Sequence, residues 1–238
     1  MTTINYYNKN EFWIKITTIS LISALLIITM HTINNIKGKF DDSLISINAL
    51  NYIHWFTRNA VKLFWMISAV LFYRNFNLSK ITIKYKSRLK SLIIPYLIWN
   101  IIGIILTWCI NLIPSIANHI NDLVLFYPSL ENIIEGVFHY KFNIIFWFIF
   151  ELILLVILSP LIYILLANKI SGIITIVVFY IFSPLIFNNQ TIIRGGESWI
   201  YYLIAAYVSI HFYRMTQIKI PNKLSIVFII IAFMLTYY

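Results

Sequence analysis

The sequence contains few of the residues that build disulfide frameworks, metal sites or phosphate-binding loops. A single cysteine, Cys109, lies in an apolar run, which excludes an internal disulfide and a CxxC metal or redox site. There are only 6 glycines, and the pair Gly195-Gly196 predicts an isolated turn, not a glycine-rich phosphate loop. The 5 histidines form no HxH or HxxxH pair, so we predict no metal site and no bound cofactor.

Charge is also scarce. Charged residues make up 11% of the chain and hydrophobic residues 61%, a balance that indicates a polytopic membrane protein. The 238 residues include no polar stretch long enough for a soluble domain, so we predict a single membrane-embedded domain, residues 1–238. Long apolar runs predict seven membrane helices: Phe12 to Thr32, Ala60 to Phe76, Leu92 to Pro114, Asn143 to Leu166, Ile170 to Phe187, Trp199 to Tyr213 and Leu224 to Tyr238.

The loops differ in charge, and the difference predicts an orientation in the cell membrane. The connection from Arg74 to Lys90 carries six cations and no acid, whereas residues 114–142 carry three acids and one lysine. The first connection is therefore predicted to be cytoplasmic, as is the N-terminus, and the second to be outside. Cations beside apolar runs favour contact with membrane lipid, and we expect no nucleic-acid binding. Residues Ile133 to Phe142 are predicted to form a lid or a helix on the membrane surface.

One titratable side chain, His31, ends the apolar run Ile16 to Met30 and is predicted to lie at the outer end of the first span. A charged group inside a membrane costs roughly 2.5 kcal/mol or more, which favours a functional site facing a cavity. A histidine that snorkels to the headgroups is the alternative. Because imidazole titrates near neutral pH, His31 is suited to take a proton from a hydroxyl.

Other polar residues lie near predicted membrane depth. Glu151 follows Trp147 by four residues, so the two are predicted to share a helix face. An acid in such an apolar run needs a partner, most simply a histidine or arginine, and contact with headgroups or a structural cation is the alternative. Arg58 and Lys62 are also four residues apart and either bind an anion near the outer surface or snorkel.

The basic segment Lys84 to Lys90 runs directly into the third predicted span. Such a cluster is usually a topology signal, but Lys86, Arg88 and Lys90 would also suit the phosphates of a cytoplasmic donor. Together with a base near the outer surface, the cluster suggests a reaction that crosses the membrane. A polyanionic donor would bind at the inner mouth, and the base would serve an acceptor outside.

Four stretches match a known pattern in order and spacing: Ile22 to His31, Arg58 to Ser68, Arg88 to Asn100, and Trp147-Phe148 followed by Pro160. With them the chain resembles acyltransferase family 3, the multispan O-acyltransferases that use acyl-CoA to modify surface polysaccharides and similar acceptors. The resemblance covers about residues 12 to 214 and implies an all-α transmembrane helix bundle. It implies that His31 is the family's essential histidine, proposed to activate the acceptor hydroxyl, and that Ser68 stands in the family's serine-glycine pair, here Ser68-Ala69.

The resemblance implies transfer of an acyl group, most simply acetyl, from acyl-CoA as co-substrate to a hydroxyl of an extracytoplasmic polysaccharide or glycolipid. Two alternatives stay open: a transporter-like protein in which His31 and Glu151 line a polar path, and an inactive family member truncated after its seventh predicted span. On the acyltransferase hypothesis the catalytic residues are His31 and Glu151, and the substrate-binding residues are Arg58, Ser68, Lys86, Arg88, Lys90 and Trp147.

Overall fold

The computed structural model describes residues 8–37, 44–113, 127–187, 196 and 199–214, and the regular elements in these ranges are all helical. Contacts divide the chain into two compact units, residues 1–75 with 201–238, and residues 76–200. The predicted all-α helix bundle is confirmed. The grouping of residues 1–238 into one domain stays a prediction.

The first unit is built on a helical hairpin of α1, Lys9–Lys37, and α2, Leu44–Tyr73, which pack against each other. A reciprocal cap starts α1: Asn8 Oδ1 accepts from the Glu11 backbone N–H at 2.9 Å, and Glu11 Oε2 accepts from the Asn8 N–H at 3.1 Å. This arrangement satisfies two backbone donors at the helix start.

Helix α2 begins earlier than the predicted range Ala60 to Phe76, because its polar N-terminal half does not interrupt the helix. Residues 44–60 contain neither proline nor glycine. The Thr57 hydroxyl donates to the His54 carbonyl at 2.9 Å, and the Asn59 amide donates to the Trp55 carbonyl at 3.3 Å. These side chains bond to their own helix, so they do not have to terminate it.

An arginine surrounded by aromatic rings joins three segments of the first unit. The Arg74 guanidinium lies 5.3 Å from the ring centre of Phe12, 5.4 Å from that of Trp13 and 5.3 Å from that of Tyr213. Cation–π contacts of this kind stabilise a partly buried arginine. In addition, the Ser209 hydroxyl donates to the Val70 carbonyl at 3.1 Å.

The second unit begins with a long helix made of three parts. Helix α3, Ile81–Arg88, continues through one π-helical turn, Leu89–Ile93, into α4, Ile94–Asn111. A π turn holds one residue more than the α-helical pattern, so it rotates the faces on its two sides relative to each other. The Tyr85 hydroxyl donates to the Ile157 carbonyl at 2.7 Å and joins α3 to a later helix.

The remaining helices of the second unit are interrupted by a turn and by a sharp bend. A short irregular turn and the 3₁₀ helix Ile144–Phe146 separate α5 from α6, and a bend of 60° separates α6 from α7. The bend precedes Pro160, which has no backbone N–H to continue the helical hydrogen bonds. The elements are α5, Leu130–Phe138; α6, Trp147–Ile157; α7, Ser159–Leu166; α8, Lys169–Ile186; and α9, Trp199–His211, whose residues from 201 belong to the first unit.

By length and composition, three described helices are able to cross a membrane: Asn10–Ile33, Ile81–Asn111 and Lys169–Ile186. They correspond to the first, third and fifth predicted spans. The fourth, predicted as one helix over Asn143 to Leu166, is instead the bent pair of α6 and α7, which adds a fourth crossing if it is counted as one span. The count of seven stays a prediction, and Leu224 to Tyr238 lies outside the described residues.

Gly136 allows α5 to pack closely on α4. A Cβ atom added at Gly136 would lie 2.8 Å from Ile104 Cδ1 and 2.8 Å from Phe142 Cδ2, closer than such atoms normally approach. A Cβ at the helical Gly103 would meet its nearest atoms, in Asn143 and Phe142, at 3.4 Å. The two glycines therefore form a matched pair for testing this packing.

We expect Gly136→Ala to be less stable than Gly103→Ala by about 1–3 kcal/mol, the usual cost of overpacking a well-packed site. Both substitutions gain the same helix propensity, so the difference between them reports the packing alone. The measurement is thermal unfolding of the two purified variants in one detergent. Equal melting temperatures would show that α5 does not depend on the close approach at Gly136.

Candidate functional site

His31 lies near the end of α1, where the helix turns its buried face to the interior of the first unit. Met30 and Ile33 beside it are buried, and His31 itself is half-buried. Its Nε2 atom is buried and has no hydrogen-bond partner among the described residues. In the neutral tautomer with its proton on Nδ1, an imidazole has a free lone pair on Nε2 and is able to accept a proton from a bound hydroxyl.

Two predicted binding residues and a neighbouring lysine lie on α2. Arg58 is exposed, whereas Ser68 is buried. Lys62, one turn after Arg58, donates to Asn59 Oδ1 at 3.3 Å and lies 5.1 Å above the ring centre of Tyr201. The pair at 58 and 62 thus shares a helix face as predicted. Since Lys62 already has polar and aromatic neighbours, Arg58 is the cation of this pair that is more available to an anion.

Glu151, in the middle of α6, is fully buried. Its Oε2 atom accepts a hydrogen bond from the indole Nε1 of Trp199 at 2.8 Å. Complete burial argues against the alternative in which this acid meets the lipid headgroups. The indole is one partner that the structure shows, and the histidine or arginine partner that the sequence favoured stays a prediction. Trp147, one turn earlier, is half-buried on the same helix.

The three cations of the basic cluster do not share one face of the helix. Lys86 and Lys90 are exposed, whereas Arg88 is half-buried. The two lysines line an open groove of about 600 Å³ together with Thr82, Tyr85, Ile93 and Ile94. The groove therefore combines cationic and apolar side chains, a combination that suits an anionic, partly apolar ligand.

The candidate residues fall into the two units of the chain. His31, Arg58 and Ser68 belong to the first unit, and the basic cluster, Trp147 and Glu151 belong to the second. A shared cavity for His31 with Glu151 or Trp147 stays a prediction. Within the described residues, no group of three or more histidine, cysteine, aspartate or glutamate side chains is placed to hold a metal ion.

Sequence reasoning missed three polar residues with specific contacts. Trp199 donates to Glu151, and Tyr85 donates to the carbonyl of Ile157. Asn100, in the centre of α4, is fully buried among apolar residues. For Trp199 and Asn100 the available signal was a neutral polar group in or beside an apolar run, but such groups also occur where they have only a structural role. Tyr85 lies between two lysines, and the sequence offered no signal for its contact.

The fold and the site define a helical membrane protein with a half-buried histidine near the end of one apolar helix and a buried carboxylate in another. The family model of acyltransferase family 3, described as an acyltransferase domain, matches residues 16–238. The chain belongs to this family and is a membrane acyltransferase. No curated protein and no solved structure matches the chain.

Proposed function

We propose that the protein is an O-acyltransferase of the cell membrane that moves an acyl group, most simply acetyl, from cytoplasmic acyl-CoA to a hydroxyl of an extracytoplasmic glycan or glycolipid. Membership of acyltransferase family 3 supports the reaction class. The observation that carries the proposal is the buried Nε2 of His31, which has no hydrogen-bond partner among the described residues. This is the state required of a general base that waits for a hydroxyl.

The proposed reaction is a single acyl transfer in which His31 carries the proton. Its Nε2 takes the proton of the acceptor hydroxyl while the hydroxyl oxygen attacks the thioester carbonyl carbon. The C–S bond then breaks, the ester is released, and the imidazolium returns the proton to the departing CoA sulfur. The donor and the acceptor thus exchange one acyl group for one proton, and no further reactant is needed.

In this proposal the basic cluster binds the donor phosphates. Lys86 and Lys90 line the open groove, and Arg88 lies on the half-buried side of the same helix. Hydrogen bonds between these cations and phosphate oxygens are charge-assisted and therefore strong. Arg58 and Ser68 on α2, and Trp147 on α6, are the remaining proposed binding residues.

The experiment that tests the proposal measures transfer from labelled acetyl-CoA by the purified protein and by the double variant Lys86→Ala with Arg88→Ala. We expect the double variant to raise the KM for acyl-CoA about 10-fold or more, because each charge-assisted hydrogen bond contributes about 1.5–3 kcal/mol. Its kcat should change little, since phosphate contacts hold the donor and carry no proton.

Lys169→Ala is the matched control, because Lys169 is an exposed cation on the predicted cytoplasmic side, outside the cluster. It should leave the KM for acyl-CoA unchanged. An unmutated protein without transfer would refute the proposed function. Transfer with an unchanged KM in the double variant would refute the donor site alone.

The orientation predicts that residue 86 faces the cytoplasm and residue 131 faces outside. Cys109 is exposed and would react with thiol reagents, so the test uses a Cys109→Ser background. In that background we expect Glu131→Cys to be labelled by a membrane-impermeant maleimide on intact cells, and Lys86→Cys to be labelled only after lysis. The reverse pattern would overturn the orientation.

A further inference from the structure

The irregular turn between α5 and α6 lies beside the central part of α4. The Asn143 side-chain amide donates to the Trp99 carbonyl at 3.2 Å. Gly136 lies against Ile104, and the Tyr96 ring centre is 6.4 Å from that of Phe146. Residues on both sides of the turn are thus held against one stretch of α4, residues 96–104.

This stretch of α4 corresponds to membrane depth. Lys90 is the last charged residue of this long helix, which ends at Asn111. At a rise of ~1.5 Å per residue, Trp99 lies about 13 Å and Ile104 about 21 Å beyond Lys90. The hydrocarbon core is ~30 Å thick, so the turn lies within its central part. On this estimate the turn between α5 and α6 lies at membrane depth.

Irregular backbone at this depth is tolerated where it is buried in protein or lines a polar cavity. In the turn, Tyr140 is buried and has a left-handed backbone with φ 45°, a conformation that costs energy in a residue other than glycine. The charges nearby are paired, since Lys141 forms an ion pair with Glu135 and donates to Asn132 Oδ1 at 2.9 Å. Broken helices near the midplane mark the ligand sites of many membrane transporters.

Two buried polar atoms on α4 lie next to this break. Asn100 is fully buried and Tyr96 is 4% exposed, and the Tyr96 phenol lies near the Asn100 side chain. The Asn100 amide nitrogen donates to the Tyr96 carbonyl at 2.9 Å. The Tyr96 hydroxyl and Asn100 Oδ1, however, make no hydrogen bond of good geometry among the described residues, although the two side chains lie close enough to interact. Leaving such atoms unpaired in an apolar interior is costly, so a ligand or water is expected to pair with them.

We infer that Tyr96 and Asn100, at the break between α5 and α6, form a binding site for a secondary amide. An amide offers one N–H and one carbonyl. The N–H matches the free acceptor Asn100 Oδ1, and the carbonyl matches the free donor of the Tyr96 hydroxyl. The rings of Phe146 and Phe150, with centres 6.4 Å and 6.2 Å from that of Tyr96, provide apolar walls.

The amide is assigned to the arm that joins the thioester of acyl-CoA to its phosphates, and this assignment rests on the proposed function. Arg88 and Tyr96 are eight residues apart, and the π turn between them makes this close to two full turns. Both side chains therefore fall on the same side of the helix, about 12 Å apart along its axis. A donor whose phosphates contact Arg88 extends its amide-bearing arm along this side, toward Asn100.

An acetamido sugar in the acceptor also presents a secondary amide. The test therefore separates binding of the acyl-CoA amide from binding of the acceptor amide. Binding of the non-reactive thioether analogue of acetyl-CoA is measured by calorimetry on the full-length protein in detergent, without any acceptor. We expect Asn100→Leu to weaken this binding about 10-fold, since it removes the acceptor of a buried hydrogen bond. Tyr96→Phe, a smaller change, should act in the same direction.

Thr107→Val is the matched control. Thr107 is also buried on α4, but its hydroxyl already donates to the Gly103 carbonyl at 2.9 Å. The Thr107→Val variant should bind the donor analogue as tightly as the unmutated protein does. A donor analogue in which esters replace the amides should bind the unmutated protein more weakly and should be insensitive to Asn100→Leu, because it has no N–H to offer.

The outcomes are distinct. If the unmutated protein binds no acetyl-CoA analogue, the proposed function fails. If it binds the analogue, and the Tyr96→Phe and Asn100→Leu variants bind it as tightly as Thr107→Val does and keep the acceptor preference of the unmutated protein, the amide site is refuted and water satisfies the two atoms. If both variants bind the donor normally but lose preference for an N-acetylated over a non-acetylated sugar acceptor, assignment of the amide to the donor is wrong.

Discussion

Replacing His31 with alanine is expected to lower acyl transfer by about 100-fold to 10,000-fold, the range that general-base catalysis contributes. The substitution removes a half-buried imidazole whose Nε2 has no hydrogen-bond partner among the described residues. No described hydrogen bond from that atom is lost, so expression and membrane insertion should be close to those of the unmutated protein. Initial rates with labelled acetyl-CoA and a hydroxyl acceptor measure the effect.

His54→Ala is the control for His31→Ala. His54 is a half-buried histidine on α2 with no role in the proposed reaction. This variant should transfer at nearly the normal rate. Normal transfer by His31→Ala would show that another group takes the proton, and would remove the catalytic assignment of His31.

The second large effect is expected at Glu151. Glu151→Ala should unfold the second unit more easily, because Trp199 Nε1 loses its acceptor and a fully buried side chain leaves a cavity. A buried donor without a partner costs about 1–3 kcal/mol, and the cavity adds to this cost. The measurement is the melting temperature of the purified variant in detergent.

Glu151→Gln separates the charge of this residue from its structural contact. The amide keeps an oxygen that accepts from Trp199 Nε1, so the melting temperature should stay near that of the unmutated protein. If the carboxylate charge is required for transfer, as its catalytic assignment predicts, the rate should fall about 100-fold, the lower end of the usual contribution from general acid–base catalysis. Stable Glu151→Gln protein with normal transfer would limit Glu151 to anchoring Trp199.

Trp199→Phe completes the comparison. It removes the indole donor and leaves a buried carboxylate without this hydrogen bond. A loss of stability that resembles that of Glu151→Ala, with little further loss in the double variant, would show that the two residues act as one unit.

The helices that hydropathy located well are those with a continuous apolar run. Helix α1 was predicted from Phe12 to Thr32 and spans Lys9–Lys37. Helix α2 spans Leu44–Tyr73 and begins before the predicted range Ala60 to Phe76, because the polar side chains of Thr57 and Asn59 bond to their own helix and do not interrupt it. Hydropathy measures the preference of a residue for water or an apolar solvent. It does not show whether a polar side chain forms a hydrogen bond with the backbone of its own helix.

The broken helices show a second limit of the sequence pattern. The run from Asn143 to Leu166 is continuous in hydropathy, yet α6 ends at Ile157 and the chain bends by 60° before α7. Pro160 was the available signal, because proline ends or kinks a helix. The close packing of α5 on α4 could not be predicted, since it depends on a long-range contact between Gly136 and Ile104.

The candidate site was predictable where a titratable group interrupts an apolar run. His31 and Glu151 stood out for this reason, because charge at membrane depth is costly. Tyr96 and Asn100 did not, since neutral polar groups lower the hydropathy of a long window only slightly. Tyr96 and Asn100 became candidates because their side chains are buried and each has a polar atom without a well-formed hydrogen bond. Only a three-dimensional structure shows these two properties.

Transfer across a sealed membrane tests the proposed function most directly. The protein is reconstituted into vesicles, and the fraction with its cytoplasmic side inward is determined by labelling of Glu131→Cys. Labelled acetyl-CoA is enclosed inside and the glycan acceptor is added outside. We expect labelled ester on the external acceptor with the unmutated protein, and almost none with His31→Ala. Ester that forms only when donor and acceptor are on the same side, or equally well without His31, would contradict transfer across the membrane by this histidine.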